Sequence, residues 1–378
     1  MRNKLLSALS PLALIAASCG ALAVGDSPKA AASIGDAFKV EVLGTFEEPW
    51  AMAFLPVQTA PSALLTEKGG TLKWYTAAGV RDLTGLPAVD AGGQGGLGDI
   101  VLAPDFAATA AVYISWVEAG PDGTRGAVVA KAIFGEGWQS PPTVAVIWRQ
   151  TPKVTGRGHF SHRMAISPDG KYLFVASGER QKFTPAQDLS NNLGKVLRLN
   201  LDGTPAAGNP FASKGGTSAE IWSYGHRNIL GLQFDAQGRL WALEHGPAGG
   251  DELNLIKPGL NYGWPLVSDG DNYDGTPIPR NRTRPDLAQP AISWNPVIAP
   301  GDFIFYSGKL WPEWKGQALI AALGTEGLVR VRIDGEKAVE EARYPLGKRI
   351  REIREAPDGS LYVLEDGKGG RLLRLSRK

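Results

Sequence analysis

A short unit, a tight turn followed by an alternating strand, recurs along this chain. Three copies are clear, at residues 167–175, 235–243 and 357–364. Each turn contains Asp and Gly, which favour positive φ angles or cap the local backbone. Each strand that follows places bulky apolar side chains at every second position. A chain that repeats one such unit is expected to build several small sheets of the same kind.

Weaker copies of the unit fill the intervals, at residues 50–74, 97–116 and 302–331. Six units over about 340 residues give roughly 55 residues per unit, which is the period of a propeller blade with its loops. The 48 glycines and 27 prolines suit many short strands joined by turns. The sequence therefore predicts an all-β, six-bladed β-propeller over residues 37–378. A β-sandwich is the alternative architecture, but it gives no reason for one unit to occur six times.

The N-terminal residues 1–23 have the layout of a secretory signal peptide. Arg2 and Lys4 precede an apolar run that ends in small residues at Ala21 and Ala23. The single cysteine, Cys19, lies inside this segment, so lipid attachment there is the alternative to simple cleavage. Residues 24–36 are small and polar and are typical of a linker. We expect a periplasmic or secreted protein that is not transmembrane and that has no disulfide.

The charged residues are spread evenly along the chain. The net charge of +2 comes without any basic block, so nucleic acid is not an expected partner. All four histidines lie in glycine-rich loops, where a rigid scaffold can present them to a ligand. They are candidates for a general base, and packing in a turn is the alternative for each: His159, His162, His226 and His245.

Two further groups of residues indicate a bound cation and a bound anion. Gly246 and Pro247 can turn backbone carbonyls towards calcium, and Asp251 and Glu252 add carboxylates, although an ordinary acidic turn has the same composition. Arg349 and Arg351 alternate along an extended segment, so they point to one side and can clamp a carboxylate or phosphate. A solvated strand face is the alternative for this pair.

Several separated blocks of the sequence resemble one family. Residues 219–228, 244–247 and 263–265 are similar to the soluble aldose and glucose dehydrogenases that depend on pyrroloquinoline quinone (PQQ). The resemblance runs from Pro49 to the C-terminus and implies a six-bladed propeller. It implies oxidation of the anomeric (C1) hydroxyl of an aldose sugar to the lactone, with hydride transfer to PQQ and an external electron acceptor. His159 would be the general base, and Glu179 would orient it.

The same resemblance assigns the cofactor sites. Residues at six positions match quinone contacts: Gln94, Arg227, Asn228, Tyr273, Arg349 and Arg351. Gly246 and Pro247 would hold the Ca²⁺ that polarises the quinone, and Glu252 and Tyr262 match a second, structural Ca²⁺ site. One position departs from the family pattern, because Gly324 stands where a lysine is usual. Either one charge contact to the cofactor is then missing, or Lys348 or another cation replaces it.

The residues leave two other functions open. A calcium-dependent lactonase would use the metal and a base but not the three arginines. A propeller that binds a carbohydrate or a protein without turnover would need no pairing of His159 with Glu179. The sequence does not identify the preferred sugar or the acceptor, and it is compatible with a monomer or a homodimer.

Overall fold

The structure is a computed structural model, and it describes residues 37–56 and 61–378. The predicted signal peptide, the lipid-attachment alternative at Cys19 and the linker up to residue 36 lie outside the described residues. No helix in the described ranges is long and apolar enough to cross a membrane.

Within these ranges, the chain forms six four-stranded antiparallel sheets, arranged as the blades of a β-propeller. Blade 1 contains β2 (Pro49–Phe54), β3 (Ala63–Glu67), β4 (Thr71–Thr76) and β5 (Gly79–Leu83). Blade 2 contains β6 (Leu97–Leu102), β7 (Ala111–Ala119), β8 (Arg125–Ile133) and β9 (Thr143–Arg149). Blade 3 contains β10 (Ser161–Ile166), β11 (Tyr172–Ser177), β12 (Lys195–Asn200) and β13 (Ile221–Tyr224).

The second half of the ring follows the same order. Blade 4 contains β14 (Ile229–Phe234), β15 (Leu240–Glu244), β16 (Asp251–Ile256) and β17 (Ile292–Trp294). Blade 5 contains β18 (Pro300–Phe305), β19 (Ala318–Ala322), β20 (Gly327–Asp334) and β21 (Lys337–Pro345). Blade 6 contains β22 (Ile350–Glu355), β23 (Leu361–Glu365), β24 (Lys368–Ser376) and, on its outer edge, β1 (Lys39–Glu47).

Helical segments are short in the described residues. The α-helix α1 spans Phe106–Thr109. Single 3₁₀ turns occupy Pro121–Gly123, Glu136–Trp138, Thr184–Gln187, Ala212–Lys214, Gly216–Glu220, Asn281–Thr283 and Pro312–Trp314. The prediction of an all-β, six-bladed propeller is confirmed.

The recurring turn occupies the same position in each blade where it is clear. The three clear copies connect the first and second strands of blades 3, 4 and 6, and their glycines Gly170, Gly238 and Gly359 have φ angles of 71°, 74° and 87°. A residue without a Cβ adopts such angles at little cost, so the turn reverses the chain within a few residues. The weaker copies correspond to strands of blades 1, 2 and 5, where this connection is longer or less regular.

Strand β1 closes the ring. It pairs antiparallel with β24, from Lys39 opposite Ser376 to Glu47 opposite Lys368. The two ends of the described chain therefore share one sheet, and opening the ring would break this ladder of backbone hydrogen bonds. The pairing also covers an edge of β24 that would otherwise be free to pair with another molecule.

The apolar core consists of layers between neighbouring blades. Trp50 and Leu64 of blade 1 pack with Leu97 and Trp116 of blade 2, and comparable clusters separate every other pair of adjacent blades. Each sheet is thus buried on both faces. Full burial of one such large side chain contributes about 1.5–3 kcal/mol, so the stacked layers provide a rigid frame for the loops.

The first strand of each blade lines the central channel. All six of these strands, β2, β6, β10, β14, β18 and β22, show a register shift against the second strand near their first residues. A bulge bends a strand and redirects the side chains beside it. The chain therefore leaves each sheet at the same end of the channel, and the loops before these strands meet there.

Candidate active site

A cavity of about 300 Å³ lies at this end of the channel. Its walls come from loops of all six blades: Glu48, Pro49, Trp50, Lys68, Gly93, Gln94, His159, Phe160, Ser161, His162, Arg227, Asn228, Leu230, His245, Tyr273, Leu323, Arg349, Arg351, Asp366 and Gly367. Residues more than 250 positions apart in sequence therefore share one site. The structure brings together in this cavity His159 and the six residues predicted to contact a cofactor.

His159 and Glu179 form a buried pair on one wall. The Nδ1 atom of His159 makes a very short hydrogen bond to Oε1 of Glu179. The backbone N–H of His159 donates to the side-chain oxygen of Gln94 at 2.7 Å, which fixes the loop. Because Nδ1 is engaged by the carboxylate, Nε2 is the ring nitrogen left to accept a proton. Glu179 therefore selects the tautomer and the orientation that a base requires.

The turn after Glu179 wraps around its carboxylate. Backbone N–H groups of Gln181, Lys182 and Phe183 donate to it at 3.0, 2.6 and 2.6 Å. Burial acts to raise the pKa of Glu179, but the hydrogen bonds from His159 and from this turn hold the pKa below its ordinary value. Glu179 is therefore ionised at neutral pH although its side chain is almost completely buried.

The imidazole of His159 is neutral at the same pH. Burial lowers its pKa below the ordinary value of 6.5, and the nearby Arg227 guanidinium lowers it further. The hydrogen bond to Glu179 acts in the opposite direction without reversing the shift. A neutral imidazole that faces a cavity is able to take up a proton at physiological pH.

The backbone around this pair is strained. Six non-glycine residues there have φ angles between 49° and 64°: His159, Ser161, His162, Arg180, Gln181 and Phe183. Such conformations cost about 1–3 kcal/mol each and persist only where the surrounding structure enforces them. Their concentration on both sides of one His–Glu pair supports a functional role for that pair.

The other three histidines have packing or hydrogen-bonding roles. His162 lies at the start of β10, bonds to Ser115 Oγ through Nδ1 at 2.9 Å and stacks on Trp50. Burial lowers the pKa of His162 and of His245 to about 3 each. The Nε2 atom of His245 donates to the Pro300 carbonyl at 2.6 Å. His226 has both ring nitrogens engaged, so His159 is the candidate base among the four.

Arg349 and Arg351 do point to one side, and they reach the same carboxylate. Their Nε atoms donate to the two oxygens of Asp366, each at 2.9 Å. Burial acts to raise the pKa of Asp366, but the two guanidiniums hold the pKa below its ordinary value. Because one carboxylate is shared by two guanidiniums, the cluster keeps a net charge of about +1. The Arg351 side chain is only 14% exposed and that of Arg349 is 50% exposed, so the alternative of a solvated strand face describes Arg349 better than Arg351.

Arg227 stands on the wall beside His159. Its Nη1 and Nη2 atoms donate to the His245 carbonyl and to the Tyr273 hydroxyl, each at 3.2 Å. Its Nε–H is buried and has no hydrogen-bond partner. A buried donor without a partner is costly, and a bound anion would satisfy it. Arg227 also has no carboxylate partner within salt-bridge distance among the residues that the structure describes.

The remaining predicted contacts differ in burial. Asn228 is buried and accepts a hydrogen bond from Ser161 at 3.3 Å. Tyr273 is 77% exposed and stands at the cavity mouth, where Arg227 holds its hydroxyl. Gln94 lies on an exposed loop, but its side-chain oxygen is bound to the His159 backbone. Tyr273 can therefore move with a ligand, whereas Asn228 is a fixed part of the wall.

The Gly246–Pro247 turn is a compact cradle of backbone oxygens. A Cβ atom on Gly246 would lie 2.2 Å from the Gly249 carbonyl oxygen and 2.3 Å from that of Gly250. Asp251 holds the turn through a 2.9 Å bond from the Gly246 N–H and a 2.7 Å bond from the Ala299 N–H. Carbonyl oxygens held in this way are suitable calcium ligands, so the turn fits the predicted cation.

A smaller cavity of about 20 Å³ adjoins this turn and is lined by Glu244, Glu252 and Tyr262, among others. Asn254 lies beside the two carboxylates, and its Oδ1 atom is buried without a partner. Burial and the neighbouring carboxylates raise the pKa of Glu252 to about 8. These oxygens fit a hard cation. The Tyr262 hydroxyl is bound to Leu255 and Lys257, so this residue could offer a metal only its carbonyl.

No cluster of three or more His, Cys, Asp or Glu side chains arranged for a metal occurs in residues 37–56 and 61–378. A calcium ion in either place would therefore depend partly on backbone and amide oxygens.

The glycine that departs from the family pattern, Gly324, is exposed, but the direction in which a side chain would leave it is obstructed. A Cβ on Gly324 would lie 2.8 Å from the Ile298 carbonyl oxygen, so a longer side chain would require this backbone to shift. Lys348 is exposed and does not line the cavity, whereas Lys68 does. Of the cations considered as a replacement, Lys348 is therefore not a residue of the cavity wall. Lys68 is the lysine that the cavity contains.

Among the wall residues that sequence reasoning missed are Glu48, Trp50, Lys68 and Asp366. They lie at blade corners far from the recognised motifs, and their types are common on any surface. The only local signal was position, because each immediately precedes, begins or follows a strand of the repeating unit. Asp366 in particular follows β23 just as Lys68 follows β3, at the equivalent corner of blades 6 and 1.

The fold and the site together define a class, namely six-bladed propellers in which a His–Glu pair and several arginines meet at one cavity at the end of the channel. Comparison with known proteins identifies the group within that class. The glucose/sorbosone dehydrogenase family matches residues 46–374, and this chain belongs to that family.

The aldose sugar dehydrogenase YliI of Escherichia coli K12 is 40% identical in an alignment of 346 residues that covers 89% of this chain and 92% of that protein. The crystal structure of the soluble aldose sugar dehydrogenase of E. coli in its apo form has a TM-score of 0.86 at 39% identity, covering 90% of this chain and 100% of that chain. The PQQ-bound aldose sugar dehydrogenase of Streptomyces coelicolor has a TM-score of 0.73 at 28% identity, covering 90% and 98%.

Proposed function

We propose that this protein oxidises the C1 hydroxyl of an aldose sugar to the lactone, with PQQ as the hydride acceptor. The observation that carries the proposal is the His159–Glu179 pair, whose histidine lines one cavity together with Arg227, Arg349 and Arg351. A lactonase or a passive binding protein has no need for this combination. The PQQ-bound relative supports the choice of cofactor.

The residues of the cavity fit that cofactor. PQQ carries three carboxylates, and the arginine clamp together with the unpartnered Nε of Arg227 would bind them. The Gly246–Pro247 turn would hold the associated Ca²⁺, and the pocket beside Glu252 and Tyr262 would hold a structural Ca²⁺. When bound, the quinone supplies a hydride acceptor, and the Ca²⁺ supplies Lewis-acid polarisation.

The chain itself supplies the base and its orientation. Nε2 of His159 accepts the proton of the C1 hydroxyl, while the hydrogen on C1 leaves with its electron pair and the C1–O bond becomes the lactone carbonyl. Ionised Glu179 stabilises the imidazolium that forms. Gln94 and the strained backbone keep the ring in place, so little reorganisation is needed during the reaction.

The test uses purified protein with Ca²⁺, PQQ and a panel of aldoses, and it follows reduction of an electron-accepting dye. We expect reduction that requires PQQ and that falls by about 10²–10⁴-fold in His159→Ala. Arg332→Ala, an exposed arginine on β20, is the matched surface control and should retain activity. Absence of PQQ-dependent reduction, or activity that is unchanged in His159→Ala, would overturn the proposal. Lactone hydrolysis and sugar binding would then be measured on the same preparation.

A further inference from the structure

The cavity contains a cation that the proposed mechanism does not use. Lys68 lines the wall at the β3–β4 corner of blade 1. Arg349 and Arg351 lie next to it in the ring, because blade 6 adjoins blade 1. His159 enters from the loop before blade 3, on the opposite side of the channel. The three cations therefore form one arc, and the base faces that arc across the cavity.

The main chain of Lys68 is fixed on both sides. Its N–H donates to the Glu48 carbonyl at 2.9 Å, and its own carbonyl accepts from the Leu97 N–H at 3.0 Å. Gly96 packs directly on it, since a Cβ there would lie 2.3 Å from the Lys68 carbonyl oxygen. The side chain thus starts from an anchored stem, which reduces the entropy that binding must remove.

The ammonium group of Lys68, in contrast, is only weakly engaged. Its single salt-bridge partner among the described residues is Glu48, whose Oε1 atom lies 3.6 Å from Nζ. This distance exceeds an ordinary hydrogen bond, and the Glu48 carboxylate is 38% exposed. Partly exposed pairs of this kind contribute about 0–1 kcal/mol, so a better placed anion can displace Glu48.

The cavity wall carries more positive than negative charge, so an additional anion can be bound there. Four cationic side chains line it, Lys68, Arg227, Arg349 and Arg351, against two carboxylates, Glu48 and Asp366. Asp366 is already shared by two arginines. If a ligand displaced Glu48, Lys68 would become a free positive charge on the arc. A ligand with several carboxylates matches this arrangement better than a neutral sugar does.

We propose that Lys68 is a cofactor-binding residue that exchanges its contact with Glu48 for a carboxylate of the quinone. The proposal rests on the proposed function, because it assumes that PQQ occupies this cavity. It assigns to blade 1 a charge that Gly324 of blade 5 does not provide. Glu48 then acts as a placeholder, that is, an internal carboxylate that pairs with the Lys68 ammonium group in the apo-protein and is displaced when the ligand binds.

The test is a PQQ titration of the apo-protein in the presence of Ca²⁺, followed by quenching of tryptophan fluorescence at two salt concentrations. We expect Lys68→Gln to raise the Kd about tenfold and to weaken its salt dependence. Lys348→Gln is the matched control, because it removes the same charge from an exposed residue that precedes Arg349 in the sequence and lies outside the cavity. The Kd of this variant should stay within about twofold of that of the unaltered protein. Glu48→Gln should leave the Kd unchanged or lower it, and Lys68→Arg should restore most of the affinity.

Two negative results are distinguishable. Equal Kd values for Lys68→Gln and Lys348→Gln, with tight binding by the unaltered protein, would overturn the role of Lys68 and leave the proposed function intact. Failure of the unaltered protein to bind PQQ would overturn both. Thermal unfolding of each variant checks that the fold is kept, and a lower Kd for Glu48→Gln supports the placeholder role even if Lys68→Gln is unstable.

Discussion

Replacing Glu179 with Gln tests whether this carboxylate makes His159 a base. The amide has nearly the same shape, but it carries no charge and has one oxygen in place of two. In the native protein the two oxygens accept from His159 Nδ1 and from three backbone N–H groups. The variant therefore loses acceptors in a buried site, and its NH₂ group is brought against backbone N–H groups that it cannot accept from.

The magnitude follows from these contacts. Loss of the carboxylate removes the stabilisation of the imidazolium and the preference for the Nδ1–H tautomer. Comparable losses reduce kcat by about 10²–10⁴-fold, which corresponds to about 3–5 kcal/mol in the activation free energy. A buried donor left without an acceptor costs about 1–3 kcal/mol, and the backbone N–H groups of this turn lose a carboxylate oxygen, so a clear drop in Tm is expected as well.

The pH dependence separates a positioning role from a structural one. The hydrogen bond to Glu179 raises the pKa of His159, so its removal should move the acidic limb of kcat/KM to lower pH. The assay is dye reduction at saturating PQQ between pH 4.5 and 8.5. Glu220→Gln is a control, because that carboxylate is also hydrogen-bonded inside the protein but lies away from the cavity. A kcat within threefold of the unaltered protein and an unmoved acidic limb would refute the reasoning.

The remaining predictions concern pH, the cofactor, calcium and the fold. In the unaltered protein, burial lowers the pKa of His159, so kcat/KM should fall only below pH 6.5; a midpoint above that value in a pH profile contradicts a buried neutral base. Arg351→Met should raise the Kd for PQQ by about 10–100-fold in a fluorescence titration, because it removes a buried cation of the clamp; an unchanged Kd would place the ligand elsewhere. Calcium at about 100 times its Kd should stabilise the fold by about 2.7 kcal/mol in a thermal melt, and Glu252→Gln should abolish most of that gain; equal gains would exclude Glu252 as a ligand. Deleting β1 (Lys39–Glu47) should cause a large fall in Tm and concentration-dependent association, measured by scattering, since it exposes the edge of β24; an unchanged Tm would show that ring closure does not require this strand.

The features of the fold that the sequence predicts are those set by interactions between residues close together in the chain. Turn residues and alternating apolar positions act over a few neighbours, so they identify strands and connections wherever the chain repeats them. The clear turns at Gly170, Gly238 and Gly359 all proved to be the same connection of a blade. The pairing of β1 with β24 carried no such signal, because it joins residues more than 300 positions apart and depends on closure of the ring.

For the site, too, part could be predicted from local sequence and part depended on the tertiary structure. Residue types and spacing were enough to propose a base, a hard-cation turn and an anion clamp, because each relies on the chemistry of a few adjacent side chains. The residues around the four histidines did not show which of them is the candidate base. Burial and hydrogen-bond partners distinguish His159 from the other three, and both depend on the tertiary structure. His162 and His245 are equally polar in sequence, yet burial and packing remove them from acid–base chemistry.

By itself, the sequence determined the class of fold and the chemical groups available to it. Only the tertiary structure decided which of those groups meet. Asp366 and Lys68 line the same cavity because blades 6 and 1 are neighbours in a closed ring. The meeting of these two residues is set by the number of blades and by their packing, and no local pattern of residues encodes it.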